Sequence, residues 1–169
     1  MSTDNTNNNK AEISNKIRQW LQEEGYDFNP FEDPYNDFCF EIKTPDDDVI
    51  LIGMRKDRKD SITIYARSDL SKLDRQAFST LHTHTKDEFV YAFTSSLLGL
   101  NLLFDILPNI EHMEYLQIQK CIFFDGLTKN LFFDTIDRVL AGKDLARIAY
   151  FKYLAKPEGS DTSLRCLFL

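Results

Sequence analysis

The sequence predicts an α+β layered domain, one mostly antiparallel sheet with helices packed on it, in the order α-β-β-β-α-β-β-α. Three observations carry that prediction. The apolar spacing changes from a period of 3.6 to a period of 2 near residue 38; three alternating runs then follow with only short polar turns between them; and the chain ends on a long segment of helical period. The chain has 169 residues, of which 43% are hydrophobic and 13% aromatic. At about 150 residues per domain this is one domain's worth of chain with ample material for a core. The predicted division is a disordered tail over 1–9, a single α+β domain over 10–157 and a C-terminal tail over 158–169.

Residues 1–9 hold four Asn and no apolar residue after Met1, which leaves nothing to offset the entropy of ordering. Asn9 and Glu12 have capping-box spacing; Ile13, Ile17, Trp20 and Leu21 then form a helical stripe, and Gly25 suits the left-handed position after a helix. Between Tyr26 and Asn36, Pro30 and Pro34 forbid helix, and an extended connection docked by Phe28, Phe31 or Tyr35 is expected. Phe38, Phe40 and Ile42 alternate with Cys39, Glu41 and Lys43, which marks a strand with one buried face. A second strand, Val49 to Arg55, follows the Thr44 to Asp48 turn and reads as central because both its faces start apolar. A third alternates Ile62, Ile64 and Ala66 with Thr63, Tyr65 and Arg67.

Ser71 and Asp74 are spaced to cap a short helix with Leu73, Ala77, Phe78 and Leu81 on one side. Thr85 and Glu88 would open a longer one through Phe89, Phe93, Leu97 and Leu100, so 71–99 holds two helices or one kinked one. Two strands are predicted next, Leu102 to Leu107 and Tyr115 to Phe124. Thr128 then caps a closing helix whose apolar positions run through Phe132, Ile136, Val139 and Leu140 to Ile148, Phe151 and Leu154, with Pro157 and Gly159 as its stop. This helix and the Leu97 to Leu107 region are apolar over more than one stripe. The surplus fits either a thick two-layer core or an interface with a second copy or a partner.

Composition excludes several function classes. Twenty Lys and Arg against 27 Asp and Glu give a net charge of −7, unlike a protein that neutralises nucleic-acid phosphates. No apolar run reaches the ~20 residues of a membrane span, and the polar N-terminus lacks the pattern of a signal peptide, so no membrane role and a cytoplasmic location are expected. Cys39, Cys121 and Cys166 are widely spaced, outside any C-x-x-C pair, and read as reduced thiols. There is no G-x-S-x-G elbow, and the six glycines are isolated, so no phosphate loop or dinucleotide fingerprint is present. The Asp46, Asp47 and Asp48 run reads as a solvated turn. No catalytic residue, cofactor site or metal site is assigned.

Two features remain as weak pointers to a site. His82 and His84, followed by Asp87 and Glu88, are the one cluster with metal-ligand residue types, although the rings sit on a helix boundary where they need not converge. Charge is also uneven: Tyr26 to Asp48 carries eight acidic residues against one Lys, while Arg55 to Arg75 carries seven basic against four acidic. Such asymmetry orients a partner or a second subunit, or simply keeps turns and strand edges soluble.

The element order, together with Trp20-Leu21-Gln22-Glu23-Glu24-Gly25-Tyr26, Asp125-Gly126-Leu127-Thr128 and the long closing helix, resembles a family of uncharacterised, mainly archaeal proteins with the type III secretion chaperone-like fold. The resemblance covers roughly residues 10–156. It implies an often homodimeric domain that binds partly unfolded client proteins through apolar surface patches, and it supplies no catalytic residues. The expected function is therefore a non-enzymatic protein-interaction or chaperone-like module. The alternative is a small ligand- or metal-binding protein or enzyme with a pocket between helix and sheet near His82 and His84.

Overall fold

A computed structural model describes residues 3–44 and 48–154, with side chains from Lys10 onward. Asp46, Asp47, Cys166, the stop at Pro157 and Gly159 and the 158–169 tail lie outside the described residues. The predicted order is present as α1 (Thr3–Glu23), β1 (Phe28–Pro30), β2 (Asn36–Lys43), β3 (Val49–Arg55), β4 (Ser61–Asp69), α2 (Lys72–Thr80), α3 (Thr83–Leu100), β5 (Leu103–Leu107), β6 (Tyr115–Phe123) and α4 (Lys129–Leu154), with a 3₁₀ turn at Phe124–Gly126. Every strand pairing is antiparallel, and the sheet order is β1-β2-β3-β4-β6-β5.

Period 2 decides what each face of the sheet meets. Phe40 and Ile42 of β2, Ile50 and Ile52 of β3, Ile62 and Ile64 of β4, and Leu116 and Ile118 of β6 are buried beneath the helices. The last helix, α4, lies across β4 and β6 and packs against α3. It comes close because of Gly142: a Cβ there would stand 2.8 Å from Leu102 Cδ1 and 3.0 Å from Ile118 Cγ2. Helix α1 joins the same layer by burying Ile13, Ile17 and Leu21, with the Trp20 ring 5.6 Å from that of Phe132.

Local signals set most of the helix ends. Gly25 has φ +72°, and the backbone N–H groups of Gly25 and Tyr26 donate to the Gln22 and Leu21 carbonyls, closing α1. Ser71 Oγ accepts from the Asp74 backbone N–H at 3.1 Å, and Thr128 Oγ1 accepts from that of Leu131 at 3.2 Å.

Several expectations need correction. Helix α1 begins at Thr3, inside the stretch expected to be a disordered tail, so Asn9 lies within the helix instead of capping it; once residues 10–23 are anchored by the core, extension adds one hydrogen bond per residue at little cost. The Pro-containing connection after α1 includes a strand, β1, and Pro30 fits there because a sheet edge tolerates a missing N–H. Helix α3 starts at Thr83 with His82 as its N-cap, not at a Thr85 cap, and His82 makes no side-chain cap bond. The bend between α2 and α3 makes them two helices. Strand β6 ends at Phe123, with Phe124 already in the 3₁₀ turn.

The surplus apolar surface is solvent-facing. Leu73, expected on the buried side of α2, is 77% exposed, and Ile148 and Phe151, expected on the packed stripe of α4, are 62% and 75% exposed. Tyr91 and Leu98, seven residues apart on α3, are exposed as well. The helices form a single layer, so only one stripe of each can reach the sheet.

Candidate interaction site

The sheet has a second face opposite the helical layer, reached from α4 by Lys143 at its rim. The strand register aligns Cys39, Gly53, Thr63 and Cys121 in one row across β2, β3, β4 and β6, and Glu41, Leu51, Tyr65 and Gln119 in the next. These positions alternate with those beneath the helices, so a polar and aromatic face lies back to back with an aliphatic core; Cys39, Gly53 and Thr63 on it are themselves buried, whereas Glu41, Leu51 and Tyr65 are half-buried. Two adjoining depressions of about 330 and 510 Å³ form a groove on this face, sharing Asp33, Tyr65 and Gln117 as common wall.

The loop between β1 and β2 forms one bank of the groove and is tied down by Asp33. One oxygen of its carboxylate accepts from the Tyr35 backbone N–H at 2.8 Å; the other accepts from Asn36 Nδ2 at 2.8 Å and from the Tyr65 hydroxyl at 3.2 Å. Tyr65 thus links the loop to the central strand β4. The Asn36 amide lies over Gly53, where a Cβ would stand 2.9 Å from Asn36 Cγ, so the close seating of the loop depends on that glycine. Asn36 Oδ1 is buried without a hydrogen-bond partner.

Electrostatically the groove is lopsided. Arg55 is held bidentate by Asp57, with Nε–Oδ1 2.8 Å and Nη2–Oδ2 2.7 Å. Arg67 is held by Asp69 at 2.7 Å, and its guanidinium also lies 3.5 Å from the centre of the Tyr115 ring. Lys143 is held by Asp48 at 2.8 Å. Each cation of the groove wall is thereby neutralised within the chain. Among the described residues, Asp33 and Glu41 form no ion pair.

Two groups of this face, Cys39 and Tyr65, are held neutral by burial. Burial pushes the Cys39 thiol up to about 11, partly opposed by the Tyr65 hydroxyl 3.8 Å away, so it stays protonated and is a poor nucleophile. Burial likewise raises the Tyr65 phenol, as do the neighbouring Cys39 and Asp33. At the groove's rim, burial alone would raise the Asp48 carboxyl, yet Lys143 and Arg147, 2.8 and 2.6 Å away, outweigh it and hold Asp48 below the ordinary carboxylate range. Asp48 is therefore not part of a solvated acidic turn: it is buried and paired to α4.

The histidines singled out by sequence sit elsewhere. His82 and His84 are exposed at the start of α3, with His84 Nε2 3.6 Å from Glu88 Oε1 one turn on. His112 is exposed in the loop before β6, where its backbone N–H donates to Asn109 Oδ1. Among the described residues, no group of three or more His, Cys, Asp or Glu is placed to hold a metal ion. Nor is any helix among them long and apolar enough to cross a membrane. Sequence reasoning passed over Asp33, Asn36, Tyr65 and Glu41. The alternation signalled the outward position of Glu41 and Tyr65, but nothing local tells that Asp33 folds back to meet a strand 32 residues further on.

Comparison with known proteins agrees with this architecture. A crystal structure of an uncharacterized protein from Methanothermobacter thermautotrophicus superposes with a TM-score of 0.71 at 23% identity, covering 82% of this chain and 97% of that one. At that identity the likeness shows the fold alone. YbjN from E. coli superposes with a TM-score of 0.43 at 14% identity over 83% of this chain and 90% of its own, too distant to carry an argument. Comparison with curated proteins gives no match. A family model for an uncharacterized conserved protein matches residues 13–146, from the first buried turn of α1 to the buried Ala146 of α4, and the chain belongs to that family, DUF2299.

Proposed function

We propose that this protein is a non-enzymatic protein-interaction module that acts as a homodimer in the cytoplasm and holds client segments in a chaperone-like manner. The observation that carries this reading is a six-stranded sheet layered by helices on one side only, with a groove walled by Val49, Leu51, Tyr65 and Tyr115 on the other. A sheet face of this width with a mixed apolar and charged lining resembles the surface of a binding protein more than a reaction centre. The protonated Cys39 thiol and a groove lining that includes no histidine support the same reading. The dimer contact is assigned to the helical layer, where Tyr91, Leu98, Ile148 and Phe151 stand exposed.

Light scattering after gel filtration tests it. A dimer is expected for the native chain and a monomer for a Leu98→Asp, Phe151→Asp variant that keeps its circular-dichroism spectrum. In parallel, the native protein should delay aggregation of an unfolding substrate protein, and a Leu51→Arg variant should not. A native chain that is strictly monomeric and leaves aggregation unchanged would sink the proposal.

A further inference from the structure

The charge pattern of the groove specifies what it accepts. Arg55, Arg67 and Lys143 on its wall already have carboxylate partners in the chain, whereas Asp33 and Glu41 have no cationic partner among the described residues. The floor between those two carboxylates is apolar or aromatic, built by Leu51 and Tyr65. An acidic ligand would meet two uncompensated like charges and find no free cation. A purely apolar ligand would bury both carboxylates unpaired, which is costly. A side chain with an aliphatic stem and a cationic head meets both requirements, because the stem covers apolar surface while the head stays with the carboxylates.

We propose that the groove on the open sheet face docks an extended segment of a partner protein through a lysine or arginine, with its stem on Leu51 and Tyr65 and its head between Asp33 and Glu41. This rests on the protein-interaction reading and names the chemistry of its partner. Asp33 comes preorganised for the role: three neutral donors, from Tyr35, Asn36 and Tyr65, fix its carboxylate without cancelling its charge. Glu41, on β2, makes no side-chain hydrogen bond or ion pair among the described residues and is free to swing toward the head group. The net charge of −7 adds long-range attraction for a basic partner.

The test is fluorescence anisotropy with a labelled peptide of alternating leucine and arginine or lysine, against the same peptide with glutamate at each basic position. The basic peptide should bind and the acidic one should not, and binding should weaken as salt rises. Glu41→Gln should weaken the basic peptide several-fold, and Asp33→Asn with Glu41→Gln about tenfold, as the loss of two half-buried ion pairs implies. Because Asp33 also anchors its loop, Glu41→Gln alone, which breaks no contact in the chain, serves as the fold-neutral variant. Equal binding of both peptides, or binding that Glu41→Gln leaves unchanged, overturns the charge assignment while leaving an interaction module standing. If neither peptide binds and the chain is also monomeric, both readings fail. If neither binds but Leu51→Arg converts a dimer to monomer, the groove belongs to a second copy and the proposal is wrong.

Discussion

The two faces of the sheet carry residues from the same strands, yet they obey different rules. Beneath the helices, Ile42, Ile50, Ile52, Ile62 and Ile64 are fully buried and make a dry aliphatic layer. One residue along each strand, the outer face offers Glu41, Leu51 and Tyr65, with charges at its rim and a loop strapped on by a single aspartate. The covered face is where most of the stability resides, since hydrophobic burial scales with area removed from water. The outer face keeps polar groups and half-exposed apolar ones together, an arrangement that contributes little to folding and leaves surface for recognition. The core and the proposed binding surface are thus separated by a shift of one residue in register, so a slip in strand pairing would exchange the two.

Substitutions that act on one face and spare the other test this separation. The largest effect is expected at Phe132, fully buried where α4 meets α1: Phe132→Ala should cost about 3–5 kcal/mol in urea unfolding, the usual range for a buried aromatic truncated to a cavity. Next comes Asp48→Asn, which strands a buried Lys143 without its counter-charge. A buried pair broken in this way costs about 3–5 kcal/mol, and with Arg147 half-exposed and screened we expect about 2 kcal/mol. The pH dependence has a defined sign. Asp48 has its folded-state pKa depressed, so its contribution is fully present above the unfolded value and is lost as pH falls through the folded one. Urea midpoints measured from neutral to strongly acidic pH should fall more steeply for the native chain than for Asp48→Asn; parallel curves would show that the pair does not contribute.

Of similar size is Gly142→Val, which adds methyl groups beyond a Cβ that would itself stand 2.8 Å from Leu102 and 3.0 Å from Ile118. Overpacking of this kind costs about 1–3 kcal/mol, which thermal unfolding should show. Tyr65→Phe on the outer face should have the least effect, about 1 kcal/mol, from loss of its bond to Asp33. Its signature should instead be local: faster amide exchange at Tyr35 and Asn36, with the core amides of β4 unchanged. If Tyr65→Phe destabilised as much as Phe132→Ala, the outer face would be part of the core and the division would collapse.

Much of the architecture was legible because it rests on local chemistry. The alternation at Phe38 to Lys43 and at Ile62 to Arg67 named both the strands and their inward residues; the Ser71 and Thr128 caps and Gly25 set helix ends by hydrogen bonds within a few residues. Expectations failed where a distant partner intervened. Thr85 and Glu88 have cap spacing, but the helix begins at Thr83; the Pro30 segment became a strand because the edge of β2 was there to pair with it. Asp48 looked like one of three solvated carboxylates, and only the arrival of Lys143 and Arg147 from α4, about a hundred residues later, makes it a buried anchor.

By itself the sequence determined the layered α+β class, the inward face of each central strand, and the acidic balance, since periodicity and charge are properties of neighbouring residues. Tertiary structure alone decided that Ile148 and Phe151 face solvent, that Asp33 reaches Tyr65, and that Lys143 of α4 is neutralised by Asp48. Those outcomes depend on which helices share one layer and which loop folds over which strand. Such pairings join residues far apart in the chain, so their spacing along it leaves no mark.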